Sequence, residues 1–337
     1  MNRTVKKIIH ATERPEGVGA IVRRFVGVDG MRQFSPFLMA DHFSGGEGGF
    51  PEHPHLGQET ITYITKGAFA HEDFTGSKGI LYAGDLQFMT AGKGVVHSEM
   101  PVRLPDGVTP AGIQLWVDLP HELKEVSPRY RDLRAYEIPE AVEQDGKLTV
   151  KVISGNSYGV ESLKDLAYTP IHYYHYIMKP GSIFEQPVPE NFNVFLYVTQ
   201  GNGLRLSDGN TLKQNSAAFF KMDGSSIKGA NPLDSDNNIE FMLVGGEVLD
   251  QHTVHYGPFV AKDQERIRRA FADYQNARNG FANLKTWKTL ISGGVTEDMI
   301  QNDLNGSLEL RKKAEQEYLS RKAAEHQTPI EPVKDEL

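Results

Sequence analysis

The segments that decide this fold are HPHLGQETITYITKG at residues 53–67 and LQFMTAGKGVVHSEMP at residues 86–101. Residues 61–65 and 86–90 are short runs rich in β-branched and apolar side chains, closed by glycine turns at Gly67 and at Gly92-Lys93-Gly94. Such runs read as strands. Toward the outer ends of the two segments stand His53 with His55 and His97 with Glu99, each pair separated by one residue. In a strand, residues i and i+2 share a face. Two such pairs on facing strands of a small barrel aim three imidazoles and one carboxylate at a common interior point.

Outward from this core the pattern persists. Apolar segments at 19–25, 61–65, 86–90 and 112–117 alternate with glycine turns at 44–46, 76–79, 83–85 and 92–94, with no long helical period. Short strands and frequent glycine turns indicate a sandwich or barrel. Residues 120–144 are charged and punctuated by Pro120, Pro128 and Pro139, the composition of an inter-domain connection. A second strand set follows at 149–153, 172–178, 192–199, 217–222 and 239–244.

The second set repeats the first. YITKG at 63–67 returns as YVTQG at 197–201, and FMTAG at 88–92 as FKMDG at 220–224. Carried across, His53 and His55 fall on Pro187 and Pro189, and His97 and Glu99 on Gly229 and Asn231. The repeat implies two similar barrels, the second without a metal site.

After residue 258 the period becomes helical. Asp263 is a helix cap, Ile267, Phe271 and Tyr274 form one apolar stripe, and Glu265 pairs with Arg269 at i, i+4. A polar helix is predicted over about 309–325, and residues 328–337 read as disordered. The expected fold is therefore all-β with C-terminal helices. Its parts are a metal-binding barrel at 1–130, a linker at 131–147, a metal-free barrel at 148–260, a helical segment at 261–294 and a polar extension at 295–337.

Composition narrows the chemistry. The 337 residues are 39% hydrophobic and 24% charged, with a formal charge of −8 and no sustained basic run, which disfavours direct nucleic-acid binding. There is no cysteine, so any metal is held by nitrogen and oxygen ligands. No apolar stretch approaches the ~20 residues that span a bilayer. The last four residues, Lys334-Asp335-Glu336-Leu337, spell a reticulum-retention signal. Residues 1–13 lack the apolar core of a signal peptide, so the match reads as coincidental and the expected location is cytoplasmic or nuclear.

Three imidazoles and a carboxylate suit a divalent first-row metal. Softness alone admits iron, nickel, copper, manganese or zinc; an open octahedral site favours Fe(II) and oxygen chemistry. Glu59 reads as supporting or structural. Strand alternation puts His71 and Asp73 on one face and Glu72 on the other. His42 is left ambiguous, and His172 and His175, an odd number apart, read as structural.

Residues 49–101, with 113–120 (IQLWVDLP), 127–130 (SPRY), 256–260 (YGPFV) and 276–287 (NARNGFANLKTW), resemble the pirin family of bicupins. The resemblance implies two tandem cupin (jelly-roll) barrels. It also implies a single N-terminal iron held by His53, His55, His97 and Glu99. Pirin-like proteins act as quercetin (flavonol) 2,3-dioxygenases, which implies a flavonol-like substrate, O2, and Glu99 as general base. Mammalian-type pirins imply instead a nuclear, iron-dependent redox sensor that modulates a transcription-factor partner. The segment beyond about residue 296 exceeds the usual family length.

Overall fold

The computed structural model describes residues 1–46, 48–163 and 166–327. Its first half forms strands β1 (Val5–His10), β2 (Glu13–Glu16), β3 (Ala20–Val26), β4 (Phe37–Ser44), β5 (Phe50–His55), β6 (Gln58–Lys66), β7 (Ala68–Asp73), β8 (Lys78–Tyr82), β9 (Leu86–Thr90), β10 (Val95–Val102), β11 (Ala111–Asp118) and β12 (Arg129–Leu133). One antiparallel sheet runs β12-β9-β6-β11-β4-β3-β2 and a smaller one β5-β10-β7-β8. Val22, Phe43 and Ile64 of the large sheet pack on Phe69 and Leu81 of the small one, which joins the two sheets of the first barrel.

The second half repeats this plan, as the sequence repeat implies. Strands β13 (Glu140–Glu143), β14 (Leu148–Ser154), Ile171–Met178, Ile239–Glu247, Phe192–Gln200 and Ser216–Phe220 build a second large sheet. A four-stranded partner comprises Ile183–Pro187, Ser226–Ala230, Leu204–Leu206 and Thr211–Leu212. The seventh strand of the large sheet is β1, which pairs with Ser216–Phe220. Residues 5–10, read from sequence as part of the first barrel, thus cover an edge of the second, where unpaired backbone groups need a partner. Arg3 fixes the crossing: it is 1% exposed and donates to the carbonyls of Phe192 (2.6 Å), Pro189 (2.7 Å) and Gly224 (2.9 Å).

The two large sheets meet across one core. Phe25, Phe37, Ile61, Tyr63, Ile113, Leu115 and Val117 from the first pack with Tyr173, Phe195, Tyr197, Phe219 and Val244 from the second. Phe25 stacks on Tyr197 with ring centroids 4.2 Å apart, and Phe37 meets Phe195 edge-on at 5.1 Å. Each such ring contributes on the order of 1.5–3 kcal/mol by leaving water. Two polar pairs are set into this interface in mirrored fashion. His42 Nδ1 lies 3.1 Å from the Tyr197 hydroxyl, and His175 Nδ1 lies 3.0 Å from the Tyr63 hydroxyl. Sheet register makes the two pairs equivalent: His42 lies across Ile113 from Tyr63, as His175 lies across Met242 from Tyr197.

Residues beyond the second barrel return to the first. A hairpin (Val254–Tyr256, Phe259–Ala261) and helix α1 (Gln264–Gln275) place Phe259, Ile267, Ala270 and the later Phe281 against Leu56, Met89, Val95 and Val96. Asp263 caps α1 by accepting from Arg266 N at 2.7 Å. Gly57, at φ +71°, permits this docking, since a Cβ there would lie 1.9 Å from the Val260 carbonyl.

Residues Thr296–Leu337 form a separate unit containing a π-helical turn (Met299–Asp303) and helix α2 (Leu308–Gln327), close to the predicted polar helix. Residues 328–337, with the Lys334–Leu337 match, lie outside the described residues. No helix among the described residues is long and apolar enough to cross a membrane.

The His42–Tyr197 pair carries a pH signature. Burial, helped by the cations Arg23 and Lys66, lowers His42 from its ordinary 6.5 to about 4. The unfolded chain takes up this proton near 6.5 while the folded one does not. The contribution is therefore whole above pH 6.5 and falls away as pH drops toward 4. Urea unfolding should show stability declining across that window, with a shallower decline in His42→Gln. Tyr197→Phe, which leaves His42 Nδ1 without its partner, should cost about 1–2 kcal/mol at neutral pH.

Candidate metal centre

β5 and β10 pair antiparallel with His53 directly opposite His97, and directly opposed residues share a face. β5 is the edge strand of its sheet, which is why it tolerates Pro51 and Pro54. The alternation places His53 and His55 beside His97, and the three imidazoles offer nitrogen atoms within 4.8 Å of one another. It is the only such cluster of potential ligands among the described residues.

The geometry of the His53–His97 pair fits a cation. His53 Nδ1 lies 2.8 Å from the Pro51 carbonyl, which can only accept, so in the neutral ring Nδ1 carries the proton and Nε2 keeps its lone pair. That Nε2 is 2.9 Å from His97 Nε2. Two nitrogens bound cis to one ion at about 2.1 Å would be separated by about 3.0 Å. His55 and His97 are each 1% exposed, and burial, reinforced by the neighbouring His53, holds both well below the ordinary imidazole range. They are neutral, the form a metal requires. The Gln58 amide, donating to the Pro258 carbonyl at 3.1 Å, also stands 3.0 Å from His55 Nδ1, so the returning C-terminal chain helps orient this ring.

Glu99 lies beside the cluster, with Oε2 3.9 Å from His97 Nε2. It is held by Gln114 on β11 and Thr62 on β6. A cavity of about 800 Å3 opens on the site, with His53, Gln114, Trp116, His255, Phe50 and Met39 among its walls. The Trp116 ring meets His55 edge-on at 5.1 Å.

The remaining candidates lie elsewhere. Glu59 faces the second barrel and accepts from Thr90 Oγ1 (2.7 Å) and the Tyr168 and Thr169 amides, a structural role. His71 pairs with Asp132 at 3.3 Å and stacks on Tyr130, and Asp73 accepts from Thr75 and Ser77 in the β7–β8 turn. Glu72, on the opposite face, accepts from Thr289, Leu290 and Ile291, pinning that segment to β7. His172 lies against Phe192. Sequence reading had no means of finding Phe50 or His255 in the cavity wall: neither has a periodic or motif signal tying it to the histidines.

Removing one imidazole, as in His53→Ala, should reduce divalent-metal affinity by two orders of magnitude or more in a chelator-competition titration. Acidification should release metal from the parent chain, because protons compete for the nitrogen lone pairs.

Comparison with known proteins follows the same division of the chain. Residues 19–117 match the pirin family, and residues 173–280 match the pirin C-terminal cupin domain. A pirin-like protein from Solanum lycopersicum is 41% identical over 286 residues, covering 85% of this chain and 96% of the relative. Pirin from Homo sapiens is 40% identical over 296 residues, covering 86% and 98%. The solved structure of quercetin 2,3-dioxygenase from Acinetobacter baumannii superposes with a TM-score of 0.74 at 25% identity, covering 82% of this chain and 98% of that one. Two cupin barrels in tandem, the first carrying three convergent histidines, place this chain in the pirin family.

Proposed function

We propose that this chain is a non-haem Fe(II) dioxygenase of the quercetin 2,3-dioxygenase type, acting on a flavonol-like aromatic with O2. The observation that carries the reading is the shared wall: His53, Gln114 and Trp116 line a cavity of about 800 Å3, within the usual range for small-molecule sites. His53, His55 and His97 would hold the metal, with Glu99 as the fourth ligand. Bound there, iron supplies Lewis acidity and one-electron chemistry toward O2. The chain's own residues do the rest. Trp116 and Phe50 line the cavity where a planar ring would sit, and Glu99, beside the histidines, would accept the substrate's hydroxyl proton as general base. Similarity to a quercetin dioxygenase structure supports this assignment.

A second reading, a ferrous/ferric switch sensed by a transcription-factor partner in the nucleus, draws on one contact. Ser98, between His97 and Glu99 in sequence, bonds Ser292 Oγ at 2.9 Å and Thr289 Oγ1 at 3.2 Å. A shift of β10 would thus reach the segment that Glu72 pins. Cytoplasmic or nuclear residence belongs to both readings.

Iron-loaded protein in air should bleach the quercetin absorbance band, and His55→Ala should abolish both metal and turnover. An unchanged band with full iron occupancy would sink the dioxygenase proposal. A partner affinity equal for the ferrous and ferric forms would do the same for the switch.

A further inference from the structure

Glu99 is already engaged where it stands. The Gln114 amide Nε2 lies 3.0 Å from Oε2 and 3.3 Å from Oε1, and Thr62 Oγ1 donates to Oε1 at 3.3 Å. Gln114 is itself aimed, because its Oε1 accepts from the Trp116 indole at 3.2 Å. With the oxygen end so occupied, the NH2 end faces the carboxylate. Gln114 and Thr62 are directly opposed across β11 and β6, so the cradle is fixed by sheet register. Meanwhile Glu99 Oε2 sits 3.9 Å from His97 Nε2, whereas the His53 and His97 nitrogens stand 2.9 Å apart.

We infer that Gln114, aimed by Trp116 and assisted by Thr62, is a positioning residue that competes with the metal for the Glu99 carboxylate. This inference rests on the metal-site reading and not on the identity of the organic substrate. Its sign separates it from ordinary support of a ligand. A hydrogen bond that merely orients a ligating carboxylate strengthens metal binding, and its loss typically weakens affinity about 10–100-fold. A competing cradle does the opposite. Without Gln114 the buried Glu99 charge loses its principal donor in the metal-free protein, so the metal becomes its better partner.

Gln114 and Trp116 also line the cavity together with His53, so the cradle and the histidine cluster border the same space.

Ni(II) alone, titrated calorimetrically into metal-stripped full-length protein at neutral pH with a competing chelator, tests the inference. Gln114→Leu should bind Ni(II) about 5-fold more tightly than the parent, the equivalent of one net hydrogen bond. The gain should vanish in a Glu99→Gln background. Trp116→Phe keeps a ring against His55 but removes the donor that aims Gln114, and should shift affinity the same way by less. Weaker or unchanged binding in folded Gln114→Leu, or an equal gain without Glu99, overturns the inference. Should Gln114→Leu fail to fold, weaker or unchanged binding in Trp116→Phe overturns it instead. A parent chain that binds no Ni(II) overturns it together with the metal site, whereas a negative flavonol assay alone leaves it standing.

Discussion

Strands β6 and β11 are buried on both faces, and the two faces face different surroundings. Ile61, Tyr63, Ile113, Leu115 and Val117 look toward the second barrel and form much of the interface core. Thr62, Gln114 and Trp116 alternate with them and look into the first barrel, where Thr62 and Gln114 hold Glu99 and Gln114 and Trp116 line the cavity. Because the strand period is two, a slip of one residue would send the polar set into the interface and the apolar set into the site. The apolar packing that joins the barrels thus also fixes the register of the groups around the histidines.

The second barrel uses the same scaffold with the opposite interior. Where the first has imidazoles, the second has an apolar cluster that includes Tyr176, Phe184, Leu196, Val198 and Phe241. Tyr176 stacks on Phe241 with centroids 4.8 Å apart. Gly229, at the position corresponding to His97, has the Phe184 ring so close that a Cβ would meet it at 2.7 Å. Asn231, corresponding to Glu99, spends its amide on the Met178 and Asn237 carbonyls. One barrel has an apolar, filled interior, and it gives the other a broad apolar surface to pack against. The first barrel can then keep a polar interior that would stabilise it poorly by itself.

Sequence alone was informative where the signal is local. The i, i+2 spacing of His53 with His55 brought both rings to one face, and the repeat of YITKG as YVTQG anticipated two similar barrels. The capping of α1 by Asp263 was equally readable, since it depends on neighbours in the chain. Contacts between distant segments left no such trace. The crossing of β1 to the second sheet, the seating of Arg3 among three carbonyls and the return of Pro258 beside Gln58 join residues about 190 to 220 positions apart. Each depends on which strand edge or face is left open after the barrels have formed.

The histidines show the same limit at short range. The odd spacing of His172 and His175 already set them apart as structural, but His42 and His71 were separated from the metal cluster only by the assembled sheets. His42 and His175 pair with tyrosines across the interface, and His71 pairs with Asp132. What the sequence by itself determined was strand alternation, the duplication, and a nitrogen-and-oxygen ligand set in a chain without cysteine. Tertiary structure alone decided that three imidazoles converge while Glu99 is held by Gln114 and Thr62. Side-chain direction is a local property of a strand, whereas the distance between two side chains is set by how sheets register and pack.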